Sequence, residues 1–393
     1  MSILKPKIVF DINEEWNVSR LSDIGIKVKE KNKNYKYDQV LTNSASQGVV
    51  LQSDYFEKSI ANTNNINGYY VVRVNDFVYN PRISNDAPVG PISRNTLTDG
   101  VMSPLYTVFR VKSINLEFLD QYFKSNHWHR YMKSVANYGA RHDRMAISSN
   151  DFINLPIKHP SLPEQQKIAD FLTAVDKRIE LLEKKKTLLE TYKKGVMNKV
   201  FSQEIRFKDD DGNDFPDWEE RRLGDVSECL DNQRKPLNDS ERQNMKGDIP
   251  YWGANNIMDY INEYIFNEPI VLLAEDGGNF NDFKDRPIAN YYSKKCWVNN
   301  HTHVLKGKKD LLDTKFLFFS VVHKNIIGFV SGGTRSKLTK SEMLKIPLGL
   351  PCVMEQKKIS EFLSSIDNQI ELLESQIDKS KTWKKGLLQK MFV

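Results

Sequence analysis

Fourteen side chains of this sequence have the chemistry to read nucleic acid. In the major groove, Arg and Lys suit guanine and Asn and Gln suit adenine, while Ser and Thr are less selective. Backbone phosphates are held by Lys, Arg and main-chain N–H groups, which set register. In the first half, Arg82, Ser93, Arg94, Arg141, His142 and Arg144 lie in loops flanked by Gly, Pro and Asn. In the second half the set is Asn255, Asn256, Lys284, Arg286, Asn299, His301, Arg335 and Lys337. The competing reading of each is an ordinary solvated surface residue. Arg144 and Arg335 occupy equivalent places in a repeat described below, so they suit phosphate contact or scaffolding better than base discrimination.

Other chemistries find less support. His301-Thr302-His303 puts two imidazoles on one face of a strand, as a metal site would. No third ligand lies nearby in sequence, and a surface or DNA-facing pair is the preferred reading. No metal site is expected. Asn80-Pro81-Arg82-Ile83 is the nearest approach to an adenine-methyltransferase motif, and it fails at the third position. No G-x-x-x-x-G-K-[ST] phosphate loop occurs, so ATP use by this chain is not expected. Pro216-Asp217-Trp218-Glu219-Glu220-Arg221 superficially resembles a nuclease carboxylate pair, but it reads as an exposed linker. Tyr69, Tyr70, Tyr79, Tyr251, Trp252, Tyr291 and Tyr292 suit packing better than base stacking. No catalytic residue is assigned.

The chain has 393 residues, 39% hydrophobic and 27% charged, which is a globular balance with length for two or three domains. Its net charge is +6, split as +8 over residues 1–201 and −2 over 202–393. That permits nucleic-acid binding without requiring it. The three cysteines, Cys229, Cys296 and Cys352, form no CxxC pair and fit a reducing cytoplasm. The first ten residues hold no apolar leader, and no apolar run reaches the roughly 18 residues of a membrane span. A cytoplasmic location is expected.

The elements that must position these side chains are set by an internal repeat. Residues 164–201 align without a gap on residues 355–392, and nearly half of the 38 positions are identical. Glu164/Glu355, Ile168/Ile359, Phe171/Phe362 and Asp176/Asp367 match, as does Ile-Glu-Leu-Leu-Glu at 179–183 and 370–374. Upstream, Arg144/Arg335, Ile147/Leu338 and Pro156/Pro347 keep the same offset. Trp16, Arg20, Leu21 and Asp23 recur as Trp218, Arg222, Leu223 and Asp225. The bodies between, about 25–140 and 227–330, are barely alike.

Within the bodies, short β-branched and aromatic runs predict strands near 69–74, 76–79, 106–111, 270–273 and 302–305. Helical patches fall near 116–135 and 313–323, so an α+β body is expected. After each body, apolar residues recur in steps of three and four. They include Ile168, Leu172, Ile179 and Leu182 in one copy, and Ile359, Leu363, Ile370 and Leu373 in the other. Each run starts with Pro-x-x-x-Glu, an acidic first turn that suits the helix dipole. About 37 residues give a rod of about 55 Å. The two seams are expected to pack on each other and hold the bodies at a fixed distance. The alternative is that each seam covers its own body.

The opening Trp-x-x-x-Arg-Leu-x-Asp, the Pro-x-x-x-Glu-Gln-x-Lys-Ile helix start and the repeated seam resemble the specificity subunit of type I restriction-modification systems. So do the Gly-rich segments 139–144 and 332–335, and the body segments 68–82, 246–257 and 293–305. The resemblance spans nearly the whole chain. It implies two target recognition domains (1–155 and 202–346) in pseudo-twofold arrangement. Two conserved helices (156–201 and 347–393) would form an antiparallel coiled-coil spacer. Each domain would read one half of a bipartite, asymmetric site on double-stranded DNA. The helices would set the spacing and dock two methyltransferase (modification) subunits, with restriction/translocase subunits completing the complex. No cofactor is expected in this chain; S-adenosylmethionine, ATP and Mg²⁺ belong to the partner subunits, and no membrane is involved. Two other functions stay open: a self-contained DNA-modifying enzyme, and a coiled-coil scaffold without a DNA role.

Overall fold

The computed structural model describes residues 6–11, 15–56, 63–137, 143–332 and 336–393. They fall into two compact α+β units. Residues up to Lys184 join Glu374–Val393 in the first, and Lys185–Leu373 form the second. The division runs through both long helices, Leu162–Phe201 and Val353–Met391. At 40 and 39 residues, each is about 60 Å long.

Both bodies are built on the same four-stranded antiparallel sheet. In the first unit its order is Gly25–Lys27, Thr107–Val111, Phe77–Tyr79, Ile92–Arg94. In the second it is Ser227–Cys229, Thr302–Gly307, Ile270–Ala274, Ala289–Tyr292. Bodies that look unrelated in sequence therefore share a strand order. The central strands are buried on both faces, so their apolar runs carry no alternation to align. The additions differ. The first unit adds the hairpin Leu41–Ser44/Gly48–Leu51 and the pair Tyr70–Val72/Gly100–Met102. The second adds Lys246–Trp252, Ile257–Ile261 and Trp297–Val298.

A helix follows the sheet in each unit, capped alike. The Asn115 side chain accepts from Phe118 N at Leu116–Lys124, and Asp313 accepts from Phe316 N at Thr314–Val321. The helical run expected near 116–135 is two helices. The Ser125 hydroxyl donates to Tyr122 O (2.6 Å), and the Trp128 indole N–H donates to the carbonyls of Phe123 and Ser125. These bonds end one helix before His129–Val135 begins.

The repeated residues form a repeated set of bonds. Asn17–Arg20 pairs with Pro156–His159, and Glu219–Arg222 pairs with Pro347–Leu350 in the equivalent register. Leu21 N donates to Leu155 O, and Leu223 N to Ile346 O, both at 2.9 Å. Gln165 Oε1 accepts from Asn115 N, as Gln356 Oε1 accepts from Asp313 N. Each glutamine amide also donates to the proline carbonyl ahead of its helix.

Glu164 and Glu355 are buried, so they do more than complement a helix dipole. Glu164 accepts from the N–H groups of Phe10 and Asp11, and Glu355 accepts from Arg206 and the Trp218 indole. This exposes a repeat that the sequence comparison missed. Ile8-Val9-Phe10 and Ile205-Arg206-Phe207 are equivalents lying against equivalent helix ends. Ile8 N donates to Lys390 O and Ile205 N to Lys199 O, while Phe10 packs on Phe171 and Phe207 on Phe362.

The long helices run antiparallel within each unit. In the first, Asp176 pairs with Lys384, and Glu183 with Lys381 (2.7 Å). In the second, Lys193 pairs with the equivalent Asp367 (2.5 Å). The seam serves both expected roles. Ile168, Leu172, Val175 and Ile179 join the core of their own body, where Leu387, Leu388, Met391 and Phe392 of the other helix also insert. Met197 and Val200 enter the second core, with Ile359, Leu363 and Ile366.

Replacing Glu355 by Ala leaves the Arg206 guanidinium and the Trp218 indole without their shared acceptor. A loss of about 3 kcal/mol is expected in chemical denaturation, with Glu355→Gln losing less. Equal stability of wild type and E355A would contradict this role.

Candidate nucleic-acid interface

Arg82 and Arg144 stand opposite each other in an antiparallel bridge. Ile83 N donates to Asp143 O and Met145 N to Pro81 O, which makes them a non-hydrogen-bonded pair, the closer of the two kinds. Like charges directly opposite are unfavourable unless a counter-charge arrives. Arg144 has only an exposed Asp143 carboxylate at 3.7 Å as an ion-pair partner among the described residues. Both arginines line a cleft of about 590 Å³, with Asn43, Asn80, Tyr69 and Tyr106 on its walls. Asn43 is buried; its amide donates to Val78 O (2.8 Å), while its Oδ1 has no partner among the described residues. Asn43 is not among the sequence candidates, and Asn80 enters there only through the failed methyltransferase motif. Sitting among Thr, Ser and Pro, they carry no signal that separates them from turn residues.

The other candidates of the first half fall elsewhere. Arg94 is a structural anchor, bound to Glu117 at 2.8 Å with little exposure. That bond holds the Glu117 carboxyl below the usual carboxylate range, against the opposing effect of burial. Ser93 lies on the adjacent sheet edge, half-buried. Arg141 and His142 lie outside the described residues, as does Arg335.

In the second unit, Asn255, His301 and Lys337 come together around the 275–277 turn. The Asn255 amide donates to Gly277 O (2.9 Å), His301 Nδ1 meets the Asp276 carboxylate (2.9 Å), and Lys337 pairs with Glu275 (3.3 Å). Asn256 is exposed on the neighbouring loop. Asn299 is buried and supports the turn, accepting from His301 N (2.8 Å). Lys284 and Arg286 are exposed on a different loop.

His303 parts company with His301. It is buried, with Nδ1 against Asp231 (2.6 Å) and Nε2 against Leu338 O (2.8 Å). With Asp231 and Glu275 it forms a cluster whose donor atoms lie within 4.8 Å of one another, two carboxylates that the sequence did not show beside one of the two histidines. The donor set favours a structural role over a cation. Arg234 already lies between the carboxylates, 3.3 Å from Asp231 and 2.7 Å from Glu275, and both His303 nitrogens are engaged. Burial pushes the Asp231 carboxyl up, but the bonds from His303 and Val304 N and the charge of Arg234 outweigh it, and the group titrates below its ordinary value. Of the aromatic residues considered, Tyr79, Tyr251 and Trp252 are buried, and Tyr69, Tyr70, Tyr291 and Tyr292 are half-buried.

On the long helices, Ile168, Leu172, Ile179, Ile359, Leu363 and Leu373 are buried, and Leu182 and Ile370 half-buried. The exposed large apolar residues are others: Leu162, Leu181, Leu188 and Tyr192 on the first helix, Met354, Leu372 and Trp383 on the second. Leu181/Leu372 and Tyr192/Trp383 are equivalents in the repeat.

This architecture, a shared frame around two unlike polar surfaces, has counterparts among known proteins. The family model described as the type I restriction modification DNA specificity domain matches residues 13–191 and again 216–380. The chain belongs to that family. A putative type I restriction enzyme specificity subunit of Haemophilus influenzae is 37% identical over 148 residues; that match covers 37% of this chain and 36% of the relative. The type I restriction enzyme MjaVIII specificity subunit of Methanocaldococcus jannaschii is 24% identical over 94% of this chain and 91% of its own length. The fold is similar to the crystal structure of the type I restriction-modification system S subunit from M. genitalium. The TM-score is 0.59 at 15% identity, with 99% of each chain covered.

Asp231→Asn removes the carboxylate that His303, Val304 N and Arg234 share. Because the folded-state value is depressed, the stabilisation from Asp231 is present above the ordinary carboxylate range and lost as pH falls through the folded value. The stability gap between wild type and D231N, measured by denaturation, is expected to be full at pH 7 and to shrink in acid. A gap that widens in acid would contradict it.

Proposed function

We propose that this chain is the DNA-reading, non-catalytic specificity subunit of a type I restriction-modification complex. Each body reads one half of a split, asymmetric site on double-stranded DNA. The observation that carries the reading is the contrast between frame and surface. The bonds of Gln165/Gln356 recur pair by pair, and Glu164/Glu355 are both buried at the same helix start, taking backbone N–H donors in one copy and Arg206 in the other. The polar surfaces do not: two facing arginines in the first unit, an interlocked acid–base set around Glu275 and Asp276 in the second. In this reading the antiparallel helices form the spacer that sets the gap between half-sites. The methylation and cleavage chemistry, with its S-adenosylmethionine, ATP and Mg²⁺, belongs to partner subunits. Their place of work is the cytoplasm, and no helix among the described residues is long and apolar enough to cross a membrane.

The partner surface we assign is the exposed apolar set on the helices. Leu181 and Trp383 are exposed on the helices of the first unit, and Leu372 and Tyr192 are their repeat equivalents in the second. Two equivalent patches suit two copies of one modification subunit. Trp383→Asp is expected to lower the number of modification subunits co-purifying with the chain from two towards one; undiminished binding would contradict the assignment.

A gel-shift series in rising salt tests the DNA role. Affinity is expected to fall linearly on a log–log plot. Arg144→Ala should weaken binding to all sequences and reduce the slope by about 1, whereas Arg94→Ala should lower stability and leave the slope unchanged. No DNA binding at about 0.1 M salt, close to physiological, would favour a scaffold. Methyl transfer or cleavage by the chain alone with S-adenosylmethionine and Mg²⁺ would favour an enzyme.

A further inference from the structure

The second unit holds a cavity of about 400 Å³ that no role above uses. It lies among the last turns of the first long helix, the residues after helix Thr314–Val321, and the strand pair Glu219–Arg222/Pro347–Leu350. Phe201, Trp218, Phe283 and Phe319 supply an aromatic lining. Lys194, Lys284, His323 and Lys324 supply positive charge or hydrogen-bond donors. These groups are not equally available. Lys194 is bound to Asp285 at 2.7 Å, and His323 Nδ1 donates to Phe283 O at 2.6 Å. Lys284 is exposed and solvated. Lys324 is different: half-buried, it makes no ion pair with any described residue, and burial pushes its ammonium down despite the field of Glu220.

A desolvated ammonium beside aromatic rings is costly without an anion. The volume falls in the range of small-molecule sites, which are mostly apolar with a few placed polar groups. We infer that this cavity binds a carboxylate carried on an aromatic or bulky apolar group, the acid meeting Lys324 and the apolar part resting among Phe201, Trp218, Phe283 and Phe319. A bare phosphate fits less well, because it would leave the rings without a partner. The same chemistry is presented by a free arylalkanoic acid and by a peptide ending in phenylalanine.

The first unit provides an internal control. Aligning the helix caps Asn115 and Asp313 puts Ser125 and Asn126 where the second unit has His323 and Lys324. The neighbouring Lys124 is held by Asp120 at 2.8 Å. One site per chain is therefore expected. The inference does not depend on the DNA-reading role, because the probes are small molecules and the readout is their own binding.

The test is a saturation-transfer NMR titration of the full chain with 3-phenylpropanoate and with acetyl-Ala-Ala-Phe bearing a free C-terminus. At least one probe should saturate at one equivalent, and the tighter of the two identifies the source of the carboxylate. Lys324→Met should bind at least about tenfold more weakly, as expected for a lost charge-assisted hydrogen bond, while Lys324→Arg should retain binding. The amide forms of both probes should bind more weakly than the acids. An unchanged melting temperature for K324M separates loss of the site from loss of the fold. Failure of both acids to saturate would overturn the inference. So would equal binding of the amides, equal binding by K324M, or complete displacement by inorganic phosphate at equal concentration.

Discussion

Neither body closes its own core. The aromatic centre of the first unit is completed by Phe392, which packs on Trp16, Phe118 and Tyr122 at 5.4 to 6.3 Å. That residue directly follows the helix of the other repeat. In the second unit Phe201, its equivalent, packs on Trp218 and Phe316. Each side chain of this kind removes enough apolar area to contribute about 2 kcal/mol. The consequence is mutual dependence: each repeat supplies the helix end that the other body lacks. Phe201/Phe392, which seat those ends, are among the residues that the two repeats share.

The same constraint explains what was legible in the sequence. Phe201/Phe392, Glu164/Glu355 and Gln165/Gln356 stand out because both copies must pack these side chains at the same places at the helix ends. Strands such as Phe77–Tyr79 and Ile270–Ala274 are recognisable as strands, yet their common place in the sheet is not. Any apolar residue satisfies a position buried on both faces, so the copies drifted apart while the topology stayed. The exchange of helix ends was not legible either, since periodicity shows that a face is apolar and not which body covers it. The pair Ile8-Val9-Phe10/Ile205-Arg206-Phe207 is too short to register without the helix ends against which it lies. His301 and His303 looked alike because alternation puts them on one face. Burial separates them, and Asp231, some seventy residues away in sequence, decides the role of the second.

Freed from closing the core, the surfaces took different electrostatic characters. The first unit sets two arginines against each other beside a cleft with an unpartnered Asn43 acceptor. The second interleaves Arg234, Lys337 and His301 with Asp231, Glu275 and Asp276, leaving fewer uncompensated charges. A surface of the first kind gains most from an approaching anion. A surface of the second kind offers carboxylate acceptors as well as donors, a combination suited to base edges. The proposed function, reading of a split, asymmetric site, calls for two surfaces of unlike chemistry on one frame.

The most direct measurement is the adenine-methylation pattern of DNA in cells carrying this chain with the proposed modification subunits, compared with cells lacking this chain alone. The proposed function requires one motif that depends on the chain, made of two dissimilar half-sites at a fixed gap of roughly one helical turn between centres. A single uninterrupted motif, two identical half-sites, or a pattern unchanged by loss of the chain would contradict it.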